Sequence, residues 1–445
     1  MAAVASVFGF TEQVVSILGV VLDPVIGVAP VLLILAIVVP GFLAIAARPQ
    51  YGILAMAAFV PYRGLLAIVP SAPAFAEGFK EFLVLYTVLW AIFNAVGKER
   101  PPSAVPIFVA PLVLSFVVAL ISALKVGGLQ GLVGLKLGFF YTLVLLAMWL
   151  CPLNRGQRNA LVTILIVNGL VTALVGLWQQ LVGEDRLVGL GYEYGVHVRT
   201  TQQYLRSFST FNQPFPFAFF LAMVILLGIA VALADLGSLR SKIFLVTVPV
   251  LSTALVFTFV RGAWLILGLG FAYLAFHRYR WLLLLAPLAL LSLLVLPGQF
   301  GAAAFASGSF NERQVGWTEN LGKVTSQPIG NGIGTTGASA EKTIDVKDSF
   351  AAFYQPDNQY FKVLYELGVI GLWLFVLVLV FSFAYTRQVE RKLTGFDRAL
   401  VIGVSAHILG IAAACFVATY FEVFPLELYF WLLLGVVENC SRESS

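Results

Sequence analysis

Apolar stretches long enough to cross a lipid bilayer recur along almost the whole of this 445-residue chain; the run from Pro214 to Ala234, PFPFAFFLAMVILLGIAVALA, is one of them. Crossing roughly 30 Å of hydrocarbon takes about 17 to 25 residues of helix. With 60% of residues hydrophobic, 11% charged and a mean hydropathy of +0.95, the chain lies far from soluble proteins, where about 25% of residues are charged. A spanning segment must satisfy its own backbone groups, which helices do. Barrel strands would be about 10 residues long with alternating polarity, unlike these continuous runs. The expectation is an all-α polytopic integral membrane protein.

Length and helix-breaking residues predict spans near 24–47, 51–70, 81–96, 104–124, 133–152, 159–182, 214–234, 242–260, 261–276, 281–297, 359–384, 398–419 and 422–439. Whether residues 1–22 add a further span stays open, so the expected count is 12–14 transmembrane helices. No basic residue precedes Arg48, so a cleavable leader is not expected. The connections GKER, NRGQR, LRSK, HRYR and RQVERKLTGFDR all carry Lys or Arg and fall on one side if the spans alternate. The positive-inside rule makes that side cytoplasmic. The whole of 1–445 then reads as one transmembrane domain with a first outer loop at 183–213 and a large outer loop at 298–356.

The net charge of +5 follows from these connections, and no basic run long enough for nucleic acid appears. Cys151, Cys415 and Cys440 lack the spacing of a metal site or a disulfide framework, so neither metal nor cofactor is expected. A second population of basic residues has no topological reason for its place: Arg63, Lys80, Lys125, Lys136, Arg186, Arg199, Arg206, Arg261 and Arg313 fall outside or at the outer boundary. Arg63 and Arg261 each interrupt an apolar stretch, where a charge costs roughly 2.5–3.5 kcal/mol on insertion scales. Snorkelling at a helix end is the structural alternative for both. An anionic ligand is the functional one.

Three motifs in order, RSFSTFNQP (206–214), VRGAW (260–264) and PDNQYFKVLYELGVIGLW (356–373), with the large outer loop between the second and third, resemble those of the O-antigen ligase and O-antigen polymerase superfamily of bacterial envelope glycan assembly. The resemblance covers roughly residues 160–385; the first 150 residues are similar only as hydrophobic helices. It implies a membrane glycosyltransferase with the fold of the lipid-linked-sugar enzymes, in the bacterial inner membrane, with its active site on the periplasmic face. The donor would be a glycan on undecaprenyl diphosphate and the acceptor a hydroxyl of a second glycan, with no metal. A chain-length regulator is a candidate partner.

Carried onto this sequence, the motifs put Arg206 and Arg261 at the donor diphosphate, with Asn212 hydrogen-bonding around it. Guanidinium suits that role because its planar fork binds phosphate oxygens in pairs and stays protonated. In the ligases a histidine precedes the Asn of the third motif, but here that place is Asp357, as general base or as helix cap. Asn358 and Tyr360 of the same motif are expected at the substrate. Glu366 is expected to pair with Arg261 or Arg313, His197 to reach a sugar or remain solvated, and Arg63 and Arg313 to contact an anionic group. GNGIGTTG (330–337) reads as a flexible outer loop and 310–324 as a short interfacial helix. The missing histidine favours a repeat-unit polymerase; a ligase moving a finished chain to a lipid A core is the alternative. A small-anion transporter is a further one, for which the 298–356 loop has little use.

Overall fold

A computed structural model describes residues 38–68, 78–97, 105–285, 322, 328–343 and 357–443. These form helices α1 (Val38–Ala47), α2 (Gln50–Phe59), α3 (Phe79–Ala95), α4 (Val109–Val126), α5 (Gly128–Phe139), α6 (Thr142–Leu150), α7 (Arg155–Gly189), α8 (Pro214–Ala234), α9 (Leu239–Val256), α10 (Arg261–His277), α11 (Gly337–Thr343), α12 (Gln359–Glu390), α13 (Gly395–Ala414) and α14 (Leu426–Glu443). Extended structure among the described residues is confined to one hairpin, β1 (Thr200–Thr201) against β2 (Tyr204–Leu205), and an isolated bridge between Tyr194 and Val198. Seven of these segments are long and apolar enough to span, or eight if the bent α5–α6 pair counts as one. The chain is an all-α polytopic integral membrane protein.

This count is of the described residues alone, and several expected spans do not enter it. Helices α3 and α10 have only 17 residues, and α14 carries Glu427, Glu438, Arg442 and Glu443. Of the expected spans, 281–297 and the first part of 24–47 lie largely outside the described residues, as do 1–22 and 310–324. The expected single span 133–152 is two helices bent by 51° at residues 140–141. The expected span 51–70 is an α-helix that tightens into a 3₁₀ segment at Val60–Ile68, where Pro61 removes a backbone donor.

Helix α8 is apolar on every side and 18 of its 21 residues are buried, so it runs through the middle of the bundle rather than along its surface. Helices α7, α9, α10, α13 and α14 surround it. Lipid supplies no hydrophobic drive between helices, so close backbone approach carries the packing. Gly410 of α13 shows the requirement: a Cβ there would lie 2.9 Å from the backbone of Ile266 in α10. Helices α4 and α12 pack together at the periphery, with Leu114, Ile121, Leu124, Ile370 and Trp373 left exposed.

The two ends of the bundle differ in charge. One end gathers Arg48, Arg155, Arg158, Arg240, Arg387, Arg391 and Arg398, several of them paired: Arg158 lies 3.0 Å from Asp397 and 2.6 Å from Glu443. The opposite end carries the hairpin, the turn before α10, the 328–343 segment and the first turn of α12. The candidate site lies at that end.

Candidate active site

Helix α7 ends its straight run at Gly183, whose φ of 78° breaks the helix one residue past the expected span limit. Two glutamines before the break hold the first motif in place. Gln179 accepts from the backbone N–H groups of Phe208 (3.1 Å) and Ser209 (2.7 Å) and donates to the Ser209 carbonyl (2.9 Å). Gln180 donates to Leu205 O and to Ser207 Oγ. Together they fix a turn in which Ser209 takes a positive φ of 56°. Neither glutamine was singled out in the sequence; their spacing only marks a polar end of an apolar helix.

This turn delivers Arg206 to the second motif. The N–H of Ser207 donates to Phe257 O (2.9 Å), and Arg206 Nε donates to Thr258 O (3.2 Å). The Arg206 guanidinium stands 5.5 Å from the centre of the Phe215 ring. Thr258 Oγ1 accepts from Val260 N, and Phe259 takes a φ of 54°, so the chain reverses sharply and enters α10 at Arg261, which is half-buried. The first two motifs, about fifty residues apart in sequence, are therefore one local structure.

The Arg63 segment joins it from the other side. Thr210 Oγ1 donates to Pro61 O (2.8 Å), and Gly64 N donates to Thr210 O (2.8 Å). A Cβ at Gly64 would lie 2.4 Å from the Phe211 carbonyl carbon, so only glycine allows this approach. Arg63 itself points to the Phe424 ring at 5.6 Å, beside Lys80 at 5.0 Å. Asn212 is half-buried two residues ahead of α8. His197 stays in the first polar loop, accepting from Glu193 N at 3.4 Å beside Tyr192; burial lowers its pKa, Arg199 adds to this, and Glu193 opposes it.

The third motif rearranges three expectations. Asn358 is the N-cap of α12, its side chain accepting from the N–H groups of Tyr360 (2.9 Å) and Phe361 (3.1 Å). Asp357 is thus not the cap; it is exposed just before it. Tyr360 donates its hydroxyl to Ala412 O (2.6 Å) and packs on Phe416, which occupies both parts of the side chain in the fold. Among the described residues Glu366 pairs not with Arg261 but with Lys362, one turn earlier at 2.6 Å. Arg313 lies outside the described residues.

Lys362 also reaches Glu422 (3.5 Å), and all three groups are buried around a cavity of about 100 Å³ shared with Gln359, Ser339 and Trp431. Burial raises the Glu422 pKa, with the Glu366 carboxylate acting in the same direction and Lys362 opposing both. The triad anchors the GNGIGTTG segment, which is docked rather than loose. Thr336 donates its N–H (3.2 Å) and hydroxyl (2.8 Å) to Glu366, and Ser339 N donates to Glu422. Asn331 N and Gly332 N donate to the carbonyls of Tyr365 and Glu366, and Ile333 N to Ser122 Oγ. α12 offers those carbonyls because it breaks at Gly368 (φ 71°), where a Cβ would lie 2.3 Å from Pro328 O.

Among the described residues no group of three or more His, Cys, Asp or Glu side chains could hold a metal ion. The three cysteines are free and buried. A wider groove of about 800 Å³ between α4 and the bent α5–α6 pair is apolar apart from Lys136, Thr142 and Glu438 and contains none of the arginines.

Residues 245–376 match a family model described as O-antigen ligase, a segment that runs from within α9, through VRGAW, to PDNQYFKVLYELGVIGLW and the middle of α12. No curated protein matches the chain. Over this segment the chain is similar to the O-antigen ligase family, in line with the resemblance read from its motifs.

Proposed function

We propose that this protein transfers a glycan from an undecaprenyl-diphosphate-linked donor to the hydroxyl of an acceptor sugar, and that it extends polysaccharide repeat units rather than capping a lipid A core. The single observation that carries the reading is the bond from Arg206 to Thr258 O, which makes one structure of two arginine motifs. The acceptor oxygen attacks the anomeric carbon, the carbon–oxygen bond to the diphosphate breaks, and the diphosphate departs with the electron pair. Fixed guanidinium charge at Arg206 and Arg261 stabilises that departing anion. Asp357, released from capping by Asn358, takes the hydroxyl proton. The basic connections at the opposite end of the bundle support a cytoplasmic side there, and with it a site that faces the periplasm of a bacterial inner membrane. Asp357 in place of the ligase histidine favours polymerisation.

The test supplies the purified protein, in nanodiscs, with lipid-linked repeat units alone. A ladder of lengthened products that persists in EDTA is expected. No product until a lipid A core acceptor is added would instead identify a ligase, and a strict need for a divalent ion would point to another class of glycosyltransferase.

A further inference from the structure

Arg63 and Lys80 come together at one aromatic ring, from a 3₁₀ segment and from the first turn of α3. Arg63 lies 5.6 Å and Lys80 5.0 Å from the centre of Phe424. Both line a cavity of about 180 Å³ whose other walls are Phe59, Phe79, Leu83 and Tyr62. The half-buried Arg63 guanidinium has no hydrogen-bond or ion-pair partner among the described residues; its contact is the Phe424 ring. Five N–H donors are thereby held at the mouth of an apolar cavity, where leaving them unsatisfied is costly. Lys80 lies 3.3 Å from Glu81, which Lys136 also approaches at 2.8 Å, so this carboxylate is shared between two cations.

The cavity is distinct from the Arg206 site. Arg206 faces Phe215 and Thr258, whereas Arg63 faces Phe424, and the 208–211 backbone runs between them through the Thr210–Pro61 and Gly64–Thr210 bonds. Both sites lie at the same end of the bundle. Two lipid-linked substrates require this: an acceptor glycan that is attacked through its far end keeps its own diphosphate a glycan's length from the reacting bond, yet at the same membrane face.

We propose that the Arg63–Lys80 cavity is a second diphosphate-binding site, which holds the lipid diphosphate of the acceptor while Arg206 and Arg261 hold that of the donor. The assignment rests on the transferase reading above. An acyl-chain phospholipid could present a phosphate there too, so the experiment must separate the two sources.

The full-length protein in phosphatidylcholine nanodiscs is titrated with a radiolabelled twenty-carbon polyprenyl diphosphate, and the stoichiometry is read for wild type, Arg63→Gln/Lys80→Gln and Arg206→Ala. Two equivalents are expected for wild type and one for either variant, with affinity at the altered site reduced about ten- to a hundredfold, as for loss of hydrogen bonds from charged donors. Gel filtration and Arg63→Lys, which keeps the charge, exclude misfolding as the cause. One equivalent in wild type, unchanged by Arg63→Gln/Lys80→Gln, would overturn the second site and leave the transferase reading standing. Displacement of the second equivalent by nanodiscs containing phosphatidylglycerol would overturn the diphosphate as its ligand. Binding unaltered by Arg206→Ala would count against the transferase reading itself.

Discussion

Arg206 Nε donates to the carbonyl oxygen of Thr258 at 3.2 Å, three residues ahead of Arg261, across a separation of fifty-two positions in sequence. The bond fixes one guanidinium edge and aligns the turn that launches α10. The role proposed for Arg206 needs such support, because rotamer freedom in a long side chain weakens every contact it makes. Shortening the supporting side chain should therefore act through Arg206. Gln179→Ala, which frees the 208–209 backbone from its clamp, is expected to lower transfer by roughly tenfold, about 1.4 kcal/mol, with normal membrane levels. Wild-type transfer by that variant would show that the 206–209 turn needs no help from α7.

The placement of the two ends is open to chemical labelling. Cysteines at Gln202 and Glu341, both exposed at the end that carries the candidate site, should react with an impermeant maleimide in intact cells, and one at Asp235, exposed at the other end, should not. The native cysteines are buried and can be replaced by alanine in the background. The opposite pattern would invert the topology and take the site into the cytoplasm.

Lys362 is the single cation between Glu366 and Glu422 in their buried triad. Removing it strands two carboxylates in a low-dielectric interior, for which breaking a buried pair typically costs about 3–5 kcal/mol. Lys362→Met should therefore melt at a markedly lower temperature in detergent than wild type, and Lys362→Met/Glu366→Gln should recover part of the loss. Equal melting of Lys362→Met and wild type would remove the triad from the list of structural anchors.

Gly368 holds the break in α12 against Pro328. Its φ of 71° and ψ of −167° lie in a region reserved for glycine, and alanine there adds strain of about 1–3 kcal/mol besides the contact with Pro328 O. Ser339 is buried beneath the docked loop at 1% exposure. A cysteine at Ser339 should be unreactive in the wild-type background and become reactive when Gly368→Ala is added. Equal reactivity in both backgrounds would show that the loop docks without this break.

How far these features could be read beforehand depended on how local their causes are. The span 214–234 coincides with α8 because proline and polarity mark its start and an unbroken apolar run marks its body, both signals carried by adjacent residues. The split of 133–152 at residues 140–141 was invisible because Phe-Tyr is as apolar as the helices it separates. Arg261 and Arg63 stood out because a charge in an apolar stretch has a cost that demands a reason, and Arg206 because it opens the first motif. Lys362 escaped notice although it stands one helical turn before Glu366, because a Lys–Glu pair at that spacing is common on helix surfaces. Glu422 lies 56 residues further along, a partnership only the tertiary fold creates. The glycines of GNGIGTTG were misread as slack; with φ between 64° and 119° at 330, 332, 334 and 337, they permit a backbone to lie against α12 and α5.

Transfer by Arg261→Lys, compared with Arg261→Ala at equal membrane levels, tests the diphosphate assignment most directly. An ammonium keeps the charge but loses the paired donors of guanidinium, and one preorganised contact of this kind is worth roughly a hundredfold to a thousandfold in rate. Both variants are therefore expected to lose at least about a hundredfold of wild-type transfer. A lysine variant that keeps more than about a third of wild-type transfer, far inside that factor, would mean that Arg261 supplies only a charge at the membrane boundary, and would contradict bidentate recognition of the donor diphosphate there.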